Sequence, residues 1–281
     1  MFIYFNGRIV SAAECVVSPF DHGFLYGHGL FETMRVYQGR VFRLENHLER
    51  LEVSASALGW PVLPGRTELS KAVRDVLQKN RLSDASVRLT LTRGIGASRP
   101  DAASCGQPTV AIYASLLPQP LPPAGWSLAT VKLRRNLSSP LVSIKSANYL
   151  DNMLARAEAR QMGAHEAIML NTDGLVAEGS MSNIFMVTAG RLITPDKQSG
   201  ILPGITRQVV IELAQAAGIP VAERQIKPAE LAAADEIFLT SSIMEVIPVT
   251  VLDRQPVGGR PVPGAVTLQL ARLYKELAEK G

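Results

Sequence analysis

Cysteine is scarce in this chain: Cys15 and Cys105 are the only two in 281 residues and stand in unrelated contexts. That argues against a disulfide framework or a thiolate metal site, and makes the cytoplasm the expected compartment. Long apolar runs are missing as well. No stretch approaches the ~18 residues of a membrane span. The opening "MFIYFNGRIV" meets Asn6, Gly7 and Arg8 before any run reaches signal-peptide length. No membrane partner is expected. Basic clusters are also lacking: the net charge of +4 is scattered, and "LRR" at 133–135, the densest spot, has no aromatic residues interleaved. Nucleic acid is therefore not an expected partner, whereas scattered arginines suit a small anionic ligand. His22, His28, His47 and His165 form no i,i+4 pair and have no nearby acid cluster, so no metal site is expected.

What remains is a core-forming composition, 47% apolar and 19% charged, with length for one large domain or two ordinary ones. No internal repeat or low-complexity tract interrupts it. The clearest break is "LLPQPLPPAG", residues 116–125, with four prolines in ten positions. It reads as an extended connector between a small domain, 1–115, and a larger one, 126–281.

Upstream, "LFETMRVYQGRVFRL" alternates around Gln38-Gly39 like a β-hairpin. "ENHLERLEVSASALG" follows as a helix with Leu48, Leu51, Ala55 and Leu58 on one face and Gly59 as its stop. "ASVRLTLTRG" and "PTVAIYAS" read as further strands, which makes the first part a strand-rich α+β domain. Downstream, a helix is expected from Ser146, with Leu150, Met153, Leu154 and Ala157 at helical spacing and Gly163 beyond it. Then come "EAIML", "LVAEGSMSNIFMV" as one strand-like run in an antiparallel meander, and a Pro-Gly turn feeding a helix with Val209, Val210, Leu213 and Ala217 inward. "ADEIFLTSSIMEVIPVTVLD" gives two strands about a Ser-Ser break, and "VTLQLARLYKELAEK" closes the chain as an amphipathic helix.

The common motifs fail one by one. "GHG" and "GIG" lack the third glycine and the strand–turn–helix frame of a dinucleotide site, and no phosphate-binding P-loop occurs. "GSMSN" lacks the glycine of a nucleophile elbow. Four separated stretches remain. Lys145 falls at or just before the predicted helix N-terminus, where a cation costs roughly 0.3–1 kcal/mol against the macrodipole; it is either an exposed ammonium or an amine kept for chemistry. Glu178 in "VAEGSMSN" is either a solvated strand residue or a carboxylate that a ring approaches closely past Ala177 and Gly179. In "GILPGITRQ", the N–H groups near Ile205 and Thr206 open a helix, as an ordinary N-cap at Thr206 or as a phosphate cup. Arg50 lies one turn from His47, solvated or held for an anion. Taken together, an amine, a carboxylate and a phosphate cup are what pyridoxal 5′-phosphate requires, as Schiff-base donor, ring-nitrogen partner and phosphate holder.

At these residues the chain resembles the fold-type IV pyridoxal-phosphate enzymes: branched-chain aminotransferases, D-amino-acid aminotransferases and 4-amino-4-deoxychorismate lyases. The likeness runs from "FNGRIV" through "EVIPVTVLD". It implies that Arg50 of "RLENHLERL" contacts the cofactor phosphate and that Lys145 of "IKSANYLDN" is the catalytic lysine. Tyr149 matches a tyrosine that in some members reaches the cofactor's phenolic oxygen. Glu178 matches the carboxylate at the ring nitrogen and Leu202 the residue packed on the ring. Ile205, Thr206 and Ser242 match phosphate contacts. The implied fold is a small α+β domain and a larger β-barrel-like domain with flanking helices, the cofactor between them and a homodimer completing the pocket.

Within the family, "SPFDHGFLYGHGLFETMRVY" and "LTRG" most resemble the aminodeoxychorismate lyases, which release pyruvate and 4-aminobenzoate. Thr33 stands where branched-chain enzymes usually have glycine. "RPD" at 99–101 departs from the Arg-x-His pair of the D-amino-acid enzymes. Tyr26, Phe31 and Arg35 match pocket positions shared by several subfamilies. Arg35, Arg93 and Arg99 would suit a dianionic amino substrate, or lie on the surface of a loop. A transaminase for branched-chain or D-amino acids is the alternative, and a protein that binds the cofactor without catalysis is disfavoured by intact Lys145, Glu178 and Arg50.

Overall fold

The computed structural model describes residues 1–61, 63–117, 125–258 and 262–280. Residues 118–124 of the expected proline-rich connector lie outside the described residues. The chain forms two compact units, Met1–Pro118 with Ile144–Asn148, and Gln119–Ser143 with Tyr149–Lys280. The Lys145 segment, expected in the larger domain, thus groups with the first unit.

The first unit contains β1 (Phe2–Phe5), β2 (Arg8–Ser11), α1 (His22–Tyr26), β3 (Gly29–Tyr37), β4 (Arg40–Val41), α2 (Leu44–Ala57), α3 (Arg66–Asn80), β5 (Ala85–Thr92) and β6 (Thr109–Ser115). Among the described residues they build a six-stranded sheet in the order β2-β1-β6-β5-β3-β4, antiparallel throughout. The expected hairpin at Gln38-Gly39 is present: both turn residues have positive φ, 49° and 80°, and Tyr37 pairs with Arg40. Such turns match the right-handed twist of the strands they join. α2 packs on β3, and α3 on β1 and β6. The helix-covered side of β3 therefore carries Leu30, Glu32, Met34 and Val36, and Phe31, Thr33, Arg35 and Tyr37 point the other way.

The second unit holds β7 (Trp126–Arg135), α4 (Leu150–Gln161), β8 (Glu166–Asn171), β9 (Val176–Gly179), β10 (Asn183–Thr188), β11 (Arg191–Thr194), α5 (Ile205–Ala216), β12 (Val221–Glu223), α6 (Pro228–Ala232), β13 (Glu236–Ser241), β14 (Glu245–Leu252), β15 (Gln255–Pro256) and α7 (Ala265–Lys280). Its sheet runs β12-β11-β10-β13-β14-β7-β8-β9, with β15 on β14. β9, last in that order, lies beside β10 without a ladder, so the sheet curls back on itself. Helices flank it, as the expected fold requires. No helix of the described residues is long and apolar enough to cross a membrane.

Four expectations need correction here. The run 175–187 is two strands, not one, broken at Ser180–Ser182, and β10 pairs with β11 and β13 rather than with β9. β7 runs parallel to both β8 and β14, so the sheet is mixed. Helix α4 begins at Leu150 and turns Asn152, Ala155 and Ala159 inward, while Leu150, Met153 and Leu154 are exposed. Both stripes have helical spacing; the small residues win the inward place because they let the helix lie close on β7 and β8. In α5, Val209 and Val210 are buried as expected, but Ile211 and Ala214 complete the inner face in place of Leu213 and Ala217.

Candidate active site

In the first unit, the Lys145 segment is not helical. It lies along the edge of β3: Phe31 donates its N–H to the Lys145 carbonyl at 3.0 Å, Ala147 donates to Gly29 at 2.8 Å, and Leu30 bridges Ser146. Because α4 starts five residues later, the macrodipole, which acts within its own first turn, does not explain Lys145. Its side chain lies against Phe31, whose ring centroid is 4.4 Å from Nζ. The guanidinium of Arg88 stacks on the same ring at 3.5 Å. Arg88, which the sequence reading missed, sits directly across from Thr33 in the β3–β5 register, on the face that also carries Arg35. Arg35 lies over the Tyr37 ring. One sheet face thus gathers an amine, Thr33 and two guanidinium groups.

Behind it, Glu32 is fully buried and ionised. Arg50 grips it with two bonds, Nε to Oε1 at 2.8 Å and Nη2 to Oε2 at 2.6 Å, and His47 Nδ1 donates to Oε2 at 2.6 Å. Burial pushes the Glu32 pKa up, but Arg50 and then His47 outweigh it and hold it at about 2. Burial lowers the pKa of His47 against the pull of Glu32.

The remaining first-unit residues divide. The Tyr26 hydroxyl donates to the Ser98 carbonyl at 2.7 Å. Arg93, expected beside Arg99 as a carboxylate partner, turns inward and donates to the Gly106 carbonyl at 3.0 Å; it is 7% exposed. A buried guanidinium needs an acceptor, and the Gly106 carbonyl supplies one. Arg99 reaches outward, its side chain 77% exposed and 3.5 Å from Asp101.

In the second unit, Glu178 sits on β9, buried rather than on a solvent face. Arg135 Nη2 lies 2.9 Å from Oε1, while Asn183 Nδ2 and the Leu202 N–H each donate to Oε2 at 3.0 Å. Arg135 also donates to the carbonyls of Gly200 and Val142, which fixes its direction. These donors favour the charged form of Glu178.

Asn183 is the hub here. It also donates to the Leu202 carbonyl at 2.9 Å, and its Oδ1 would lie 1.9 Å from a Cβ on Gly204. That contact is why the cap of α5 is Gly204, without a side-chain bond, and Thr206 is instead the buried second residue of the helix, in its first turn. The first N–H groups of α5, Ile205 and Thr206 among them, are left without a side-chain cap, the arrangement an anion uses. Ser242 follows β13 in the turn to β14. Tyr149 caps α4 and donates its hydroxyl to the Ser180 carbonyl at 3.0 Å.

Asn183 and Arg135 are not distinguished as site residues by the sequence, although Asn183 closes "GSMSN". Nothing local in sequence ties either one to Glu178. The second unit therefore brings a charged carboxylate, Leu202 and an uncapped helix start into one bonded network. That donor set fits a cationic ring nitrogen at one end and a phosphate at the other. No His/Cys/Asp/Glu group able to hold a metal occurs among the described residues.

Comparison with known proteins agrees with this chemistry. The family model for amino-transferase class IV matches residues 29–252. A Methanocaldococcus jannaschii protein provisionally named a branched-chain-amino-acid aminotransferase is 40% identical, covering 100% of this chain and 97% of its own. An aminodeoxychorismate lyase of Bacillus subtilis is 36% identical over 98% of this chain and 94% of its own. Among solved structures, the branched-chain aminotransferase of Thermoproteus uzoniensis with norvaline superposes with a TM-score of 0.92 at 36% identity, covering 100% of this chain and 95% of that one. A match of this length and identity makes the chain a member of the class IV aminotransferases.

Proposed function

We propose that this chain is a pyridoxal 5′-phosphate enzyme acting on an amino substrate with two carboxylates, and that its substrate is 4-amino-4-deoxychorismate, released as 4-aminobenzoate and pyruvate. The observation that carries the reading is the sheet face on which Lys145, Thr33, Arg35 and Arg88 come together. A paired-guanidinium surface beside an amine suits a dianionic amine better than an aliphatic amino acid. The atoms of such a substrate divide between the two products, so no second substrate is needed.

The cofactor, when bound, supplies an electron sink conjugated to the substrate amine. Lys145 Nζ is the amine that holds the cofactor and then accepts the proton from the carbon bearing the substrate nitrogen. Glu178, kept charged by Arg135 and Asn183, holds a proton on the ring nitrogen. Leu202 packs on the ring, and Tyr149 serves the phenolic oxygen. Ile205, Thr206 and Ser242 hold the phosphate, and Arg50, which the family resemblance offers as a further phosphate contact, is anchored on Glu32. Phe31, Thr33, Tyr26 and Arg99 complete the substrate contacts, and Arg93 supports the Arg99 loop.

The test measures pyruvate release from aminodeoxychorismate beside keto-acid formation from leucine and D-alanine. Pyruvate as the dominant product supports the lyase reading; keto acid alone overturns it. The second reading, amino transfer, is favoured by the aminotransferase names among the relatives. The exposed apolar residues Leu150, Met153 and Leu154 on α4, with Val16, Phe20 and Phe24 in the first unit, support a homodimer. Leu154→Glu should then shift the sedimentation coefficient toward that of a single chain.

A further inference from the structure

Glu166 is a buried carboxyl that the proposed chemistry does not use. It opens β8 with no exposed surface. Its Oε1 accepts the N–H of Ala167 at 2.8 Å, the N–H of Ser180 at 3.1 Å, and the Ser180 hydroxyl. Its Oε2 is buried without a hydrogen-bond partner among the described residues. Arg156 of α4 is the charged group that acts on it, but Arg156 spends an N–H on the Met181 sulfur. Burial pushes the Glu166 pKa up against these hydrogen bonds. An interior carboxyl without an ion-pair partner is costly.

What Glu166 grips has consequences. Ser180 stands between β9, which ends just after Glu178, and β10, which begins at Asn183. On its other side the Ser180 carbonyl accepts both the Tyr149 hydroxyl, at 3.0 Å, and Asn152 Nδ2, at 2.7 Å. Gly179 closes the turn onto the Ser182 carbonyl at 2.7 Å, and a side chain at Gly179 would meet Ser182 Oγ at 2.2 Å. The peptide groups around Ser180 are thus clamped from the sheet by Glu166 and from α4 by Tyr149 and Asn152.

We propose that Glu166 is a positioning residue: by holding the amide and hydroxyl of Ser180 it aims the Ser180 carbonyl, and with it the Tyr149 phenol, and it sets the turn that delivers Asn183 to Glu178. The idea rests on the pyridoxal-phosphate reading above. Losing Glu166 lets the Ser180 peptide rotate, so the Tyr149 proton and the Glu178 carboxylate both lose a fixed direction. The effect belongs to bound cofactor and turnover, not to the sheet, where Glu166 pairs with Leu128 through its backbone, which a side-chain substitution leaves in place.

The test uses holoenzyme of Glu166→Ala, Glu166→Gln and Ser180→Ala, with the pH titration of the bound cofactor's visible absorbance, kcat, KM and Tm. Glu166→Ala should move the titration midpoint by about half a unit or more and lower kcat about tenfold, with KM nearly unchanged. Glu166→Gln should restore both, because an amide oxygen can take the place of Oε1 as the acceptor facing Ser180. Ser180→Ala, which keeps the amide donor, should fall between. A Glu166→Ala protein with a lower Tm but an unmoved midpoint and kcat overturns the proposal. If Glu166→Ala does not fold, an unmoved midpoint and kcat in Ser180→Ala overturns it equally. Wild-type protein that shows no visible band with pyridoxal phosphate overturns the cofactor reading itself, and this proposal with it.

Discussion

Glu32 in the first unit and Glu166 in the second are both carboxyls without exposed surface, yet their surroundings drive them in opposite directions. Glu32 meets a bidentate guanidinium and an imidazole, and these hold it at about pKa 2 although burial alone would raise it. Glu166 meets two backbone amides and a hydroxyl, and burial prevails. Glu178, like Glu32, has a guanidinium beside it, with two neutral donors as well. Burial therefore does not decide the charge of a carboxyl; the partner does. The two units use this differently. The first spends its ion pair on anchoring Arg50, and the second spends its own on keeping a carboxylate charged where a ring is proposed to sit.

The comparison breaks most visibly at the amine. Lys145→Ala should fold, lack the visible band of bound cofactor and lose activity by about a thousandfold or more. Initial rates and an absorbance spectrum check this, and wild-type turnover in that variant would remove the functional reading. Glu178→Gln should retain bound cofactor but lose at least about a hundredfold in kcat, since a neutral amide cannot keep the ring nitrogen protonated. A loss under tenfold would return Glu178 to a structural part in β9.

Glu32 sharpens the contrast through pH. Its folded pKa, about 2, lies below the ordinary value of 4.5, so its contribution to stability is present above pH 4.5 and is lost as pH falls toward 2. The shift corresponds to about 3 kcal/mol. Thermal melts between pH 6 and pH 2 should show a steeper acid loss for wild type than for Glu32→Gln; parallel curves would mean that Glu32 is not held as an ion.

The smallest effects separate two arginines of one loop. Arg93→Ala removes a buried side chain and its bond to the Gly106 carbonyl and should cost about 1 kcal/mol of stability. Arg99→Ala should leave Tm within about a degree, because an exposed side chain contributes little. It should still lower kcat/KM for aminodeoxychorismate about tenfold, and less for a monocarboxylate. Equal small losses with both substrates would place Arg99 outside the substrate contacts.

Much of this was readable along the chain. The hairpin at Gln38-Gly39, the alternating strands β5 and β6, and the Pro-Gly entry to α5 follow from local rules, since turn chemistry and side-chain period act over a few residues. The motifs around Arg50, Lys145, Glu178 and "GILPGITR" could be picked out because each is a compact signature. Arg88, Arg135 and Asn183 could not. Their importance comes from neighbours far off in sequence: Arg88 from Phe31, Arg135 from Glu178, and Asn183 from Leu202 and Gly204.

The α4 stripe shows the same limit from the other side. Leu150, Met153 and Leu154 share a face by helical geometry, and the sequence determines that much. Which face turns inward depends on how closely a helix must approach β7 and β8, and there Ala155 and Ala159 prevail. Lys145 completes the division. Its amine and its chemistry are properties of the residue and its motif. Its place on the edge of β3, against the ring of Phe31, was decided only when the strand and a segment more than a hundred positions later met, because backbone pairing and cation–ring contact depend on distance in space.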